Sequence, residues 1–235
     1  MAQGFFLLLM FGQLVDSDDF PKAMQERALA ATVRIVNRSR QIEGSGVLLG
    51  RKGKSSYILT AAHFLERGDR LEIATFTVNS YPEAEKVYSK ADLVAHTKDT
   101  RDLALVRLTA DDAPRGGLTL CPLDQLPKDK EFNALSIGCG AGIAPICNIE
   151  KVKGAKEIRR STKIKPALFW EAEDEQTSGR SGGPLIDRRG RVIGVASGTS
   201  DGKGYYSHAG EIHRWLKATD FDFLLEEKEP QKNGR

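Results

Sequence analysis

Residues 178–184 have the sequence Ser-Gly-Arg-Ser-Gly-Gly-Pro. In no other stretch of the 235-residue chain do so many glycine and proline residues flank a potential nucleophile. Glycines on both sides of Ser181 permit positive or crowded dihedral angles, so consecutive N–H groups can turn toward one point and bind an oxyanion there. Ser181 alone is a poor nucleophile, because it needs a base within hydrogen-bond reach and a third group that orients the base. The stretch therefore predicts two partners elsewhere in the chain.

Two upstream motifs supply candidate partners. Residues 59–63, Leu-Thr-Ala-Ala-His, offer the imidazole of His63, and Asp102 offers a carboxylate directly before the apolar run Leu-Ala-Leu-Val. Each motif alone could be an ordinary turn or strand end. Together they give the chain order His63, Asp102, Ser181, which unrelated hydrolase folds do not share. The three motifs therefore predict a catalytic triad.

The three motifs resemble those of the trypsin-like serine peptidases, especially the bacterial HtrA/Deg-like branch. Residues 44–46, Gly-Ser-Gly, look like a strand of the HtrA-type enzymes. The resemblance implies a serine endopeptidase that forms an acyl-enzyme on Ser181, with His63 as general base and Asp102 as the group that orients it. It also implies an oxyanion hole formed by the backbone N–H groups of Gly179 and Ser181.

Arg180 departs from the pattern of trypsins that are made as zymogens. Those enzymes place an aspartate immediately before the nucleophile, where it receives a newly cut N-terminal ammonium. A guanidinium cannot form that pair, and no Arg-Ile-Val-Gly-Gly activation site occurs upstream. The sequence therefore predicts an enzyme that N-terminal cleavage does not switch on.

Substrate preference leaves two interpretations open. Counting six residues back from Ser181 places Glu175 where trypsins carry the acidic base of the first specificity pocket, which would favour Lys or Arg. HtrA-like enzymes line that pocket with small aliphatic groups, and residues 171–176 also fit an exposed acidic loop. Ser197 and Gly198 stand where the family keeps an edge strand whose backbone pairs with the substrate.

Two other functions are alternatives to the predicted peptidase activity. The first is a catalytically silent trypsin-fold binding protein, against which the intact triad argues. The second is an esterase-like hydrolase, which the serine-last order and the lack of a βαβ pattern disfavour.

Short strand-like runs separated by turns predict an all-β fold. Together with the family resemblance, they imply two six-stranded antiparallel β-barrels, over about residues 30–112 and 128–210 of a domain that spans residues 22–225. A short N-terminal helix is expected from Lys22 to Ala31, and a terminal amphipathic helix over residues 211–225.

The two chain ends have distinct compositions. Residues 5–11 are apolar but too few to span a membrane, so residues 1–21 are either an export signal or an apolar arm packed on the domain. We expect export to the periplasm or the medium rather than a cytoplasmic location. Residues 226–235 are charged and are expected to be disordered. We therefore do not expect the PDZ domain that is common in HtrA proteins.

Composition limits the choice of partners. The chain has 35 Lys and Arg against 32 Asp and Glu, a formal charge of +3. The basic residues are scattered, so nucleic acid is not an expected partner. The densest basic run, residues 151–160, is expected to be a solvated loop. We expect a polypeptide substrate and no metal or organic cofactor, and a homo-oligomer is compatible with the family.

The three cysteines leave at least one thiol free or intermolecular, because their number is odd. Cys139 and Cys147 could pair across a hairpin in an oxidising compartment. Buried free thiols would account for them equally well.

Overall fold

The structure is a computed structural model that describes residues 14–97, 99–159 and 162–226. Within these ranges the strands form two closed antiparallel barrels of six strands each. The expected pair of six-stranded barrels is therefore confirmed. The apolar run at residues 5–11 and residues 227–235 of the expected charged tail lie outside the described residues.

The first barrel follows helix α1 (Lys22–Ala31), which has the expected bounds. Its strands are β1 (Thr32–Asn37), β2 (Ile42–Lys52), β3 (Ser55–Ala61), β4 (Leu71–Thr75), β5 (Lys86–His96) and β6 (Leu103–Thr109). They close in the order β1-β2-β3-β6-β5-β4. In β1, Val33 and Ile35 are fully buried in one apolar cluster, and Arg34 is the one residue of the strand that is partly exposed.

The second barrel carries the Ser181 loop. Its strands are β7 (Phe132–Gly138), β8 (Ile146–Ile158), β9 (Ala167–Ala172), β10 (Pro184–Ile186), β11 (Val192–Ser200) and β12 (Lys203–His208). They close in the order β10-β11-β12-β9-β8-β7. Strand β10 begins three residues after Ser181 and pairs with both β7 and β11, so the loop is fixed at its C-terminal end.

One apolar cluster joins the two barrels. It contains Leu59 and Leu105 of the first barrel, Leu135 and Val195 of the second, and Phe20 from the segment before α1. All five are buried, and each large apolar side chain removed from water stabilises the fold by about 1.5–3 kcal/mol. The cluster holds the barrels together at the seam where the candidate site lies.

The terminal helix is shorter than expected. Helix α2 spans Ala209–Lys217, and a separate 3₁₀ turn covers Asp222–Leu225. After the helix ends, the Thr219 hydroxyl donates to the Leu216 carbonyl at 2.8 Å. Phe221 and Phe223 then pack their rings against Tyr57 of β3, with centroids 5.6 and 5.3 Å away. The expectation of one continuous helix over residues 211–225 is therefore wrong.

The basic run also differs from its expected form. Residues 151–158 belong to strand β8, so the expected solvated loop is wrong for this part. Val152 is buried, whereas Lys151 and Lys153 on either side form ion pairs with Glu131 and Glu173 at 3.0–3.7 Å. The positive charges are thus matched by acidic residues within the same barrel.

All three cysteines are buried free thiols. Burial raises the pKa of Cys121 to about 11 and those of Cys139 and Cys147 to about 12. The disulfide between Cys139 and Cys147 is not formed. In the described ranges, no helix is long and apolar enough to cross a membrane.

Candidate active site

Strands β3 and β6 bring His63 and Asp102 together. The two strands pair in register from Ser55 opposite Thr109 to Ala61 opposite Leu103. Because His63 lies two residues after Ala61 and Asp102 directly precedes Leu103, both fall at the same end of this antiparallel pair. The two motifs that are 39 positions apart in sequence thus become neighbours.

The carboxylate of Asp102 is enclosed by hydrogen-bond donors. Its Oδ2 lies 2.9 Å from His63 Nδ1, and its Oδ1 accepts from the backbone N–H groups of His63, at 2.8 Å, and of Ala62, at 3.0 Å. The residue is 2% exposed and has φ +57°, a left-handed conformation that aspartate tolerates better than most residues. A proton on Nδ1 facing the carboxylate leaves the lone pair on Nε2, which is the form a general base requires.

Ser197 contributes to the same network. Its hydroxyl donates to Asp102 Oδ2 at 2.5 Å, and the residue is 4% exposed. The sequence analysis placed Ser197 at the substrate, yet its side chain contacts the buried carboxylate. Nothing in the local sequence signals this contact, because β11 and β6 meet only through the packing of one barrel on the other.

Gly182 places Ser181 beside the end of β3. A Cβ atom on Gly182 would lie 2.1 Å from both the Ser45 carbonyl oxygen and Thr60 Oγ1, and 3.0 Å from Ala61 N. Only glycine fits against the strand that leads to His63. In the described part of the chain no hydrogen bond joins the Ser181 hydroxyl to His63, a contact that in enzymes often tightens only in the substrate complex.

Two peptide groups of the Ser181 loop have their carbonyls bonded to the protein. The Ser178 carbonyl accepts from Ala141 N at 2.8 Å, and the Arg180 carbonyl accepts from Gly183 N at 2.9 Å. In a trans peptide the N–H points opposite to the carbonyl, so the N–H groups of Gly179 and Ser181 face the other way. Neither donates to an acceptor among the described residues. Gly179 has φ +89°, which favours glycine.

Ser45 is a site residue whose role the sequence analysis missed. Its N–H donates to the Ser181 carbonyl at 2.7 Å, and its hydroxyl donates to the Gly179 carbonyl at 2.8 Å. The same hydroxyl accepts from Cys139 N at 2.8 Å, and the residue is fully buried. The Gly-Ser-Gly motif was recognised as a strand, but only the structure shows that it holds the loop of the other barrel.

A groove runs along the outer part of β11. It has a volume of about 540 Å³, and its lining includes Ile158, Phe169, Tyr205 and the segment 197–201. Gly198 therefore lies in this groove, where an extended peptide could pair with the strand. Nearby, the pKa of Glu171 is lowered to about 2 by hydrogen-bonded ion pairs with Lys156 and then Lys203.

The acidic segment before the Ser181 loop is mostly exposed. Glu175 is exposed, whereas Gln176 is partly buried and its Nε2 donates to the Tyr205 carbonyl at 3.0 Å. The structure thus places an amide, not the Glu175 carboxylate, against β12. Within the described residues there is no group of three side chains able to hold a metal ion.

The remaining histidines of the second half serve packing. The pKa of His208 is lowered to about 4, mainly by burial, and its Nδ1 accepts from Gly210 N at the start of α2, at 2.9 Å. His213 Nε2 lies 3.0 Å from the Cys121 carbonyl, and burial lowers its pKa. Neither His208 nor His213 is thus available as a base for Ser181.

A family model for the trypsin-like peptidase domain matches residues 44–195 of the chain, which contain His63, Asp102 and Ser181. The chain belongs to the trypsin-like peptidases. It is therefore a serine-type endopeptidase, a hydrolase of polypeptides, and the catalytically silent alternative is not favoured.

Solved structures of proteases show the same fold as this trypsin-like peptidase. The active form of the Rv3671c protease from M. tuberculosis is 18% identical, with a TM-score of 0.66 over 87% of this chain and 91% of that chain. Its inactive form has a TM-score of 0.68 at 18% identity, over 86% and 96%. The serine endoprotease from Yersinia pestis is 19% identical, with a TM-score of 0.62 over 90% and 68%. No curated protein has a significant sequence match.

Proposed function

We propose that Ser181 is the nucleophile of this peptidase, His63 its general base and Asp102 the residue that orients His63. The Ser181 oxygen attacks the carbonyl carbon of the scissile bond while its proton passes to His63 Nε2. The carbonyl electrons move onto oxygen, and the N–H groups of Gly179 and Ser181 bind the resulting oxyanion. Collapse breaks the C–N bond, and His63 returns the proton to the leaving amine. Water then attacks the acyl-enzyme by the same steps and releases the acid product and Ser181.

The His63–Asp102 contact carries this proposal. A hydrogen bond of 2.9 Å between Nδ1 and Oδ2, with three further donors on the same carboxylate, fixes both the tautomer and the ring orientation. The buried carboxylate also stabilises the imidazolium that forms when Ser181 is deprotonated. Gly182 supports the remaining contact, because it brings the serine loop against β3.

We propose that the substrate chain lies along Ser197 and Gly198 and extends into the groove beside Phe169 and Tyr205. An extended peptide can add to the edge of β11 through main-chain hydrogen bonds, which recognise a polypeptide with little regard to its sequence. The groove lining combines Phe169 and Tyr205 with charged residues, so it can contact both apolar and charged side chains of the substrate; the charged residues are Lys156, Glu157, Arg159 and Asp201.

We also propose export and self-association for the natural protein. Export is supported by the apolar run at residues 5–11. Self-association is supported by the resemblance to the HtrA-like family, with which a homo-oligomer is compatible. N-terminal sequencing of the mature protein tests the first proposal, and its mass in solution by light scattering tests the second.

A fluorophosphonate probe tests the proposed nucleophile. We expect the wild-type protein to react with the probe and to hydrolyse a peptide library, and we expect the Ser181→Ala variant to do neither. Ser207→Ala serves as the control, because Ser207 is a buried serine whose hydroxyl donates to the Arg101 carbonyl at 2.6 Å, outside the triad. Equal labelling of the wild type and Ser181→Ala would overturn the assignment.

A further inference from the structure

Arg180 is a buried cation inside the Ser181 loop. It stands between Gly179 and Ser181, whose N–H groups are the proposed oxyanion donors, and it is only 3% exposed. A charged side chain between two loop residues would ordinarily extend into water. Here its side chain turns into the second barrel instead, and such burial requires strong compensating interactions.

The guanidinium is tied to two strands of the second barrel. Nη2 donates to Ser136 Oγ of β7 at 2.7 Å, and Nη1 donates to the Ile146 carbonyl of β8 at 3.2 Å. Nη1 also lies 3.4 Å from the Gly138 carbonyl. A Cβ on Gly138 would lie 3.1 Å from both Arg180 Cα and Cβ, so the loop backbone rests directly on β7. Arg180 is thereby fixed at two places: its backbone packs on Gly138, and its guanidinium is hydrogen-bonded to β7 and β8.

Glu150 interacts electrostatically with Arg180. This residue of β8 is 7% exposed, and burial raises its pKa while the positive charge of Arg180 opposes that rise. Tyr206 connects the two groups, because its hydroxyl donates to Ser136 Oγ at 3.0 Å and interacts with Glu150. Arg180 is thus part of a buried polar network, in which losing one member leaves the others unsatisfied.

We propose that Arg180 is a positioning residue for the oxyanion hole, and that its anchored guanidinium holds the N–H groups of Gly179 and Ser181 toward the substrate. The proposal rests on the function assigned to Ser181 above. The partners of this anchor lie in β7 and β8, so the anchor forms when the second barrel folds, while Ser45 of the first barrel fixes the loop from the other side. A new N-terminal ammonium is not required.

Three variants test the proposal, and each leaves Ser181 in place. Arg180→Met removes the charge at nearly constant length, and Arg180→Lys keeps the charge without the planar fork. Ser136→Ala removes the acceptor of Nη2 without altering the loop sequence. Arg189→Met is the matched control, because Arg189 is an exposed residue of the hairpin that follows β10.

The readouts separate oxyanion binding from substrate binding. They are kcat and KM for a peptide substrate, the affinity for the corresponding peptide aldehyde, and the affinity for the corresponding peptide alcohol. The aldehyde carbon takes the Ser181 oxygen and its oxygen becomes the oxyanion, with the proton on His63. The alcohol is uncharged, has no carbonyl group and cannot form that bond. Circular dichroism and thermal unfolding report whether each variant folds.

We expect Arg180→Met to lower kcat and aldehyde affinity by roughly 100-fold, as for the loss of one oxyanion donor. KM and alcohol affinity stay within about threefold, because the groove is unchanged. Ser136→Ala lowers kcat by roughly tenfold, and Arg180→Lys restores part of the Arg180→Met loss. Arg189→Met behaves as the wild type.

The proposal is overturned if folded Arg180→Met and Ser136→Ala keep kcat and aldehyde affinity within threefold of the wild type. Should Arg180→Met fail to fold, Ser136→Ala alone decides by the same criterion. Failure of the proposed function gives a different result. In that case the wild type and Ser181→Ala would bind the aldehyde equally, because no covalent adduct forms on Ser181.

Discussion

The His63–Asp102 pair and the Ser181 loop satisfy their polar groups in opposite ways. In the first barrel, both carboxylate oxygens of Asp102 accept hydrogen bonds from within the protein. In the loop, the carbonyls of Ser178, Gly179 and Arg180 are bonded, whereas the N–H groups of Gly179 and Ser181 have no acceptor in the described part of the chain. In the proposed mechanism, the ring of His63 is thus held in place before the reaction, and the two N–H groups of the loop bind the charge that forms during it.

The largest loss of kcat is expected for a change in the His63–Asp102 pair. Asp102→Asn keeps the shape of the side chain but offers an amide where Nδ1 needs an acceptor, so it favours the wrong tautomer of His63. We expect kcat to fall by roughly 10⁴-fold with KM little changed. Steady-state kinetics on a cleavable peptide measures this. Asp99→Asn is the control, since Asp99 pairs with Arg101 nearby; a loss under tenfold for Asp102→Asn would contradict the account.

The next largest loss of kcat is expected for a change at the N–H groups of the Ser181 loop. Gly179→Ala forces a Cβ onto a residue with φ +89° and shifts the peptide that carries the donor. We expect kcat to fall by roughly 10²-fold to 10³-fold, as for loss of one oxyanion donor. Gly68→Ala is a matched control, because Gly68 also has φ +89° but has open space around it. If both variants lose the same activity, backbone strain alone explains the result.

A smaller loss of kcat is expected for Ser45, which joins the first barrel to the Ser181 loop. Ser45→Ala removes the hydroxyl that joins the Gly179 carbonyl to Cys139 N, while the bond from Ser45 N to Ser181 remains. Losing two buried hydrogen bonds next to the loop should lower kcat by roughly 30-fold. Ser56→Ala is the control, since Ser56 is equally buried and donates to the Pro114 carbonyl at 2.6 Å. Equal kcat for the two variants would remove Ser45 from the site.

The smallest effect concerns Glu175. Because this carboxylate is exposed, Glu175→Ala should leave the preference at the residue before the cleaved bond unchanged. A peptide-library profile of the variant and the wild type provides the measurement. A preference for Lys or Arg in the wild type that disappears in Glu175→Ala would place the carboxylate in the specificity pocket after all.

The comparison also explains what the sequence could reveal. The fold and the triad follow from motifs in which neighbours in sequence act together, such as the apolar run after Asp102 or the glycines around Ser181. The roles of Ser45, Ser197 and the Arg180 guanidinium depend on contacts over 34 to 134 positions. Such contacts exist only once the barrels have packed, and no local periodicity encodes them. The break after Lys217 was missed for the same reason, because Tyr57 is remote in sequence.

The most direct test of the central claim is to trap the covalent intermediate. The protein is mixed with an activated peptide ester, quenched in acid within the first turnover and digested for tandem mass spectrometry. The account predicts an acyl group on Ser181 in the wild type and none on any residue of the Ser181→Ala variant. An acyl group that maps to another residue, or that persists in Ser181→Ala, would contradict it.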